Sequence, residues 1–288
     1  GDEALFTVGY VGEQPAELEF FALDHVEYVG YEKVEEAIEK VRFHQIDMLV
    51  DPARSSYYVN ESSTNGSLAR ELLVAMHGER FEQQTVTGRP IRYVDWFVPG
   101  LIGMNMMFSG IFGVGFILVR YRKNGVLKRL KATPISRFEF VSAQVASRFM
   151  IVVVTSVVVF TATNLALNFM MLGSYLLLLV HTMLAVFCMI SLGLIFATRI
   201  TSEELASGLM NIVTLPMILI SGVFFSLEGS PAILRAISQA FPLTHFVEGA
   251  RAIMLEGAGV VEVAPNLLAL VGFTAAFLSI AALLFRWE

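Results

Sequence analysis

The 288-residue chain is 55% apolar and only 16% charged, with a formal net charge of −6 and a mean hydropathy of +0.64. That is too little charge to cover a water-soluble protein of this length, so lipid must replace water around part of it. A single cysteine, Cys188, set in an apolar run, excludes an intrachain disulfide and a cysteine-based zinc site.

In chain order, the first third is polar and acid-rich, and residues 1–93 are predicted to form a small α/β domain. Residues 31–41 place Val34, Ala37, Ile38 and Val41 on one helical face with acids opposite. Residues 46–50 alternate as a strand ended by Asp51-Pro52, and Tyr57-Tyr58-Val59 is a second short strand. The stretch 60–66 is a polar loop, after which Ser67 is expected to cap a helix bearing Leu68, Leu72 and Met76. Asn60-Glu61-Ser62 and Asn65-Gly66-Ser67 match the glycosylation pattern no better than chance would supply. His25, His44 and His77 lack metal-ligand spacing, and nothing in this domain reads as catalytic.

Five segments then follow without one Asp, Glu, Lys or Arg: 96–119, 149–171, 175–198, 205–225 and 265–285. Each is long enough to cross the hydrocarbon core, and only a helix satisfies its own backbone there. The fold class is therefore a membrane α-helical domain over residues 94–288 behind the α/β domain. Lys and Arg set the orientation. The connection 120–148 holds eight of them against one acid, Glu139, and is expected in the cytoplasm. Alternation puts the turn 172–174 outside, the connection 199–204 inside, the segment 226–264 outside and the tail Arg286, Trp287 and Glu288 inside. Trp96, Tyr175 and Trp287 stand at span ends, where amphipathic rings favour the interface. Residues 1–93 are then extracytoplasmic. A chain starting at Gly1 on that side is expected to follow an earlier crossing, six spans in all.

The basic connection reads as a short helix between a glycine break at Gly125 and a stop at Pro134, with Leu127 and Leu130 on one side. A helix held on anionic lipid and a helix docked on a cytoplasmic partner both fit. The outer segment contains two helical pieces too short and too charged to span, expected to be re-entrant or interfacial. It reads equally as a structural plug or as a gate, with Glu248 and Arg251 expected to pair three residues apart. Polar residues in the spans are sparse: Asn105, Ser109, Asn164, Asn168, His181, Asn211 and Thr214. Helix-to-helix hydrogen bonding is the favoured role for them, ahead of a substrate path. Pro216 is expected to kink the fourth span. No span carries an ionisable carboxylate, lysine or arginine for ion coupling, and no phosphate-binding loop of the G-x-x-x-x-G-K-[ST] type is present. Energy for uphill movement would have to come from another subunit.

Gly125-Val126-Leu127-Lys128-Arg129-Leu130-Lys131-Ala132-Thr133-Pro134, Ser221-Gly222-Val223-Phe224-Phe225 and Pro242-Leu243-Thr244-His245 together resemble the membrane (permease) subunits of type-2 ABC exporters. The first is similar to that family's G-T-L-x-R-L-x-x-T-P, and the resemblance covers nearly all of the chain. It implies a permease without its own ATPase site, paired with a second copy of itself in the plasma (inner) membrane. It also implies a nucleotide-binding ABC ATPase subunit that carries ATP and Mg, with no cofactor on this chain and no nucleic-acid partner. Gly125, Leu127, Arg129, Leu130, Thr133 and Pro134 would couple to the ATPase. Met104, Asn105, Phe108, Met210, Asn211 and Thr214 would line the path of a hydrophobic or amphiphilic cargo (drug, lipid or lipid-linked glycan). Phe224, Phe225, Pro242, His245, Glu248 and Arg251 would form the outer gate. Members often carry acids just before the coupling glycine, where this chain has Tyr121 and Lys123, so the resemblance does not extend to a contact made by those acids. The alternatives are an ATP-independent channel or facilitator and a membrane-anchored sensor. A membrane enzyme finds no catalytic residues to support it.

Overall fold

The computed structural model describes residues 5–12, 18–23, 25–198, 200, 202–225, 227 and 230–284, apart from the side chains of Glu79, Lys131, Arg137 and Phe138. The chain divides into two compact units, Gly1–Arg92 and Tyr93–Glu288.

In the first unit a five-stranded sheet runs in the order β2-β1-β3-β4-β5. Its strands are β1 (Phe6–Val11), β2 (Val26–Tyr31), β3 (Met48–Asp51), β4 (Ser56–Asn60) and β5 (Glu82–Val86). β1 is parallel to β2 and β3, β3 and β4 are antiparallel, and β4 and β5 are parallel. Parallel pairs need crossovers, and both faces are covered as such sheets require. Helix α1 (Val34–Arg42) packs Ala37 and Val41 on Leu49 and Val86. Helix α2 (Thr64–His77), with Phe20 and Phe21, covers the opposite face at Val8, Met48 and Val50.

Three expectations are corrected here. The sheet has β1, β2 and β5 beyond the two strands read from sequence, and Tyr31 belongs to β2, not to the following helix. The cap of α2 is Ser63, whose Oγ accepts from the Gly66 amide at 2.9 Å, while Ser67 lies inside the helix. The buried face of α2 is Gly66, Ala69 and Leu73, and Leu68 and Leu72 are exposed. Small residues let α2 lie close to the sheet: a Cβ on Gly66 would stand 2.7 Å from the Asp47 carbonyl oxygen. Asn60 is buried and donates to the carbonyls of Arg42 and Gly88 at 2.8 and 3.0 Å, so this match to the glycosylation pattern is a loop anchor.

The second unit contains α3 (Tyr93–Lys123), α4 (Val126–Lys131), α5 (Arg137–Leu167), α6 (Tyr175–Ala197), α7 (Glu203–Ile220), α8 (Ala232–Ser238), α9 (Pro242–Glu256) and α10 (Val260–Leu284). Among the described residues, α3, α5, α6, α7 and α10 are long and apolar enough to cross a membrane. Helix α6 is central, packed most extensively on α3 and α10, and α9 fits among these three. The contact of α3 with α6 depends on two glycines. A Cβ on Gly193 would stand 2.7 Å from the Ile111 carbonyl oxygen, and one on Gly110 would stand 2.9 Å from Met189 Cβ. Small residues are how membrane helices bring their backbones together.

Helix ends depart from the charge-free runs. α5 starts at Arg137 because Ser136 and Glu139 form a capping box, which takes a helix into the basic connection. α7 ends at Ile220, and Gly222, at φ +72°, turns the chain away. Phe224 and Phe225 therefore lie after the span, not in its last turn. α7 continues through Pro216. The tail Arg286, Trp287 and Glu288, expected inside at the end of the last span, lies outside the described residues.

Candidate functional site

The connection after α3 is built on one glycine. Gly125 adopts a left-handed conformation (φ 67°, ψ 13°) at the N-cap of α4, where a side chain would be strained. Its carbonyl accepts from the Arg129 amide, which starts the helix immediately after the break. Leu127 is buried, Leu130 half-buried, and Lys128 and Arg129 exposed. Thr133 Oγ1 donates to the Leu130 carbonyl at 2.6 Å and closes the segment just before the exposed Pro134. α4 is thus seated on α3 by an apolar edge and presents cations outward.

The last turn of α3 holds residues that sequence reasoning counted only as part of a basic cluster. Arg122 is buried; its Nη1 donates to the carbonyls of Ala197 (2.7 Å) and Ile200 (3.1 Å), and its Nη2 to that of Thr198 (2.7 Å). These carbonyls are at or just beyond the end of α6, where helical partners run out. Arg120 and Lys123 lie 3.8 and 3.6 Å from the carboxylate of Glu203 in the first turn of α7. No sequence signal separated Arg122 from its neighbours, because its partners are backbone atoms about 75 residues away.

At the opposite end of α3, Asp95 is buried and accepts from the Met170 amide at 2.8 Å. The Arg251 guanidinium lies 3.6 Å above the Trp96 ring centroid, and its Nε donates to the Trp96 carbonyl at 3.1 Å. The expected Glu248–Arg251 pair is not among the ion pairs of the described residues. Glu248 instead accepts from Gln239 Nε2 at 3.1 Å, because the two side chains face different neighbours, α8's end and α3. Pro242 opens α9 at its first turn, where a missing amide hydrogen costs nothing. His245 is buried, with Nε2 donating to the Gln239 carbonyl at 3.0 Å and Nδ1 3.3 Å from Asn266 Oδ1. Phe224 and Phe225 are exposed, the former 5.9 Å from the Phe97 ring. The outer residues therefore divide into a packed set on α9 and an exposed aromatic pair on the loop.

His181, in the middle of the bundle, donates through Nε2 to the Phe246 carbonyl at 3.1 Å and stacks on the Phe246 ring. It joins α6 to α9, the helix-to-helix role expected of a sparse polar residue. The six expected path residues do not converge. Asn105 and Phe108 lie on an exposed face of α3 and Met104 is half-buried. Met210 and Thr214 are fully buried, with the Met210 sulfur closed against Gly115 of α3, and Asn211 is half-buried between them. A cavity of about 410 Å³ lies elsewhere, among α3, α5, α6 and α9. Ser156, Thr161, Asn164, Tyr175 and Thr182 contribute polar atoms to an otherwise apolar wall without any charged side chain. Its size suits a small organic ligand. Among the described residues, no group of three or more His, Cys, Asp or Glu could hold a metal.

Residues 53–255 match the family model described as ABC-2 type transporter. The chain belongs to the ABC-2 type transporter family. It is 32% identical over 183 residues to the inner membrane transport permease YhhJ of Escherichia coli (strain K12), covering 63% of this chain and 49% of that protein. It is 24% identical over 186 residues to the probable multidrug ABC transporter permease YbhS of the same organism, covering 64% and 49%. The linearmycin resistance permease protein LnrN of Bacillus subtilis (strain 168) is 23% identical over 165 residues, covering 56% and 42%. The chain spans about half the length of the curated relatives it matches. Within this ABC-2 permease, the match takes in α3 to α9 almost completely, including the Gly125 break and the α9 anchors.

Proposed function

We propose that this ABC-2 permease carries a hydrophobic or amphiphilic cargo outward across the inner membrane by alternating access. ATP and Mg act on a partner nucleotide-binding subunit, and two permease copies face each other around the path. The observation that carries this reading is α4: a left-handed break at Gly125, an apolar edge held on α3, and Lys128 and Arg129 turned outward as a docking surface. The eight Lys and Arg residues of 120–148 support a cytoplasmic position for that surface, and with it the reading that residues 1–93 are outside and the C-terminus inside. The names of YbhS and LnrN, a probable multidrug permease and a resistance permease, support an organic cargo. So does the uncharged, partly polar wall of the 410 Å³ cavity.

The test uses the full-length permease purified with its ATPase and screened for a compound that stimulates ATP hydrolysis. Leu130→Asp places a charge on the half-buried edge of α4 and abolishes both stimulation and transport. If stimulation and transport survive that substitution, the coupling role of α4 is wrong. If no ATP-binding subunit co-purifies, a facilitator replaces the exporter.

A further inference from the structure

We infer that the last turn of α3 is a clamp that makes the α6–α7 corner move with the coupling helix, with Arg122 as its positioning residue. This rests on the exporter reading above and adds to it the route by which motion at α4 reaches the inner end of α7.

Three observations converge on one turn of helix. The buried Arg122 guanidinium holds the carbonyls of Ala197, Thr198 and Ile200, so α6 cannot withdraw from α3 without leaving a buried cation and three carbonyls to find new partners. Arg120 and Lys123, two residues before Arg122 and one after it, reach Glu203 in the first turn of α7. The charges match the helix ends: the Arg122 cation at the C-terminus of α6, the Glu203 carboxylate at the N-terminus of α7. The chain then leaves α3 through Asn124 and Gly125 straight into α4. A push on α4 therefore acts on a turn fastened to two other helices, by buried hydrogen bonds on one side and by an exposed ion-pair set on the other. The left-handed Gly125 is the joint, and the clamp lies on the bundle side of it. The exposed pairs are weak singly, so the buried Arg122 fixes the corner and Glu203 sets its register.

The test uses the full-length permease with its ATPase in lipid nanodiscs, in a Cys188→Ala background carrying a bimane label at Leu209→Cys on α7. In the otherwise unsubstituted protein, ATP with vanadate shifts the label's fluorescence. Arg122→Gln reduces that shift at least about fivefold, the low end of coupling between linked sites, and speeds amide hydrogen exchange over 198–205 without nucleotide. Arg122→Lys, a point charge without the planar fork, restores only part of it. Glu203→Lys weakens the response, and adding Arg120→Glu with Lys123→Glu restores it. The charge swap decides the matter if Arg122→Gln fails to fold. A full nucleotide shift in folded Arg122→Gln, or a charge swap that restores nothing, overturns the clamp while leaving the exporter reading intact. No nucleotide shift in the unsubstituted protein overturns the exporter reading, and the transmission route with it.

Discussion

Helices α5 and α6 are nearly equal in apolar character, yet 67% of the most apolar stretch of α6 is buried inside the unit against 17% of that of α5. Lipid accepts an apolar side chain as readily as a protein interior does, so hydropathy cannot place a helix at the centre or the edge. What places α6 at the centre is fit. Gly193 meets the α3 backbone, His181 meets the α9 backbone, and the carbonyls at its end meet Arg122. α5 offers Ile151, Val154 and Val158 to the outside.

The sharpest way to break this contrast is Gly193→Leu, which puts a branched side chain where 2.7 Å separates a Cβ from the Ile111 carbonyl oxygen. A loss of about 3 kcal/mol or more is expected, read as loss of the monodisperse fraction and of thermal stability in detergent. Asp95→Ala should cost about 2 kcal/mol by leaving the buried Met170 amide without its carboxylate acceptor, measured as a lowered unfolding midpoint. Arg251→Met keeps the stem over Trp96 but removes the cation and the bond to its carbonyl. About 1 kcal/mol should be lost, with a change in Trp emission as the independent signal. In the first unit, Ser63→Ala should cost about 1 kcal/mol and Ser67→Ala much less; a larger loss at Ser67 than at Ser63 would return the cap to Ser67. The smallest effect is expected on α5, where Val158→Ala at an exposed position should stay within about 0.5 kcal/mol. A large loss there would mean that the outer face of α5 is covered in the assembled protein.

The same division runs through what could be read in advance. The five spans were legible because a run without charge about 20 residues long has one stable form in lipid. Gly125, the α4 turn and Pro134 were legible because a helix break and a stop are local events. The faces were harder. Leu68 and Leu72 looked like the buried side of α2 by size, but Gly66 and Ala69 are buried because the helix lies so close to the sheet. Glu248 and Arg251 are spaced like a pair, but Glu248 accepts from Gln239 just after α8 and Arg251 donates to the Trp96 carbonyl on α3. Met210 and Asn105 looked alike as path residues, yet one is fully buried against α3 and the other exposed.

By itself, the order of residues determined that this is a membrane protein with a polar domain ahead of its spans, where the basic connection falls, and the family motifs that it carries. Those properties follow from solvent preference and from backbone geometry within a few residues. Only the tertiary structure decided that Arg122 closes the end of α6, that Asp95 holds Met170, and that α9 is an internal wedge fixed by His181 and His245. Each of these joins groups far apart in the chain, many of them backbone atoms. A carbonyl or an amide has the same identity in every residue, so the sequence cannot say which one a buried side chain will meet until the helices are packed.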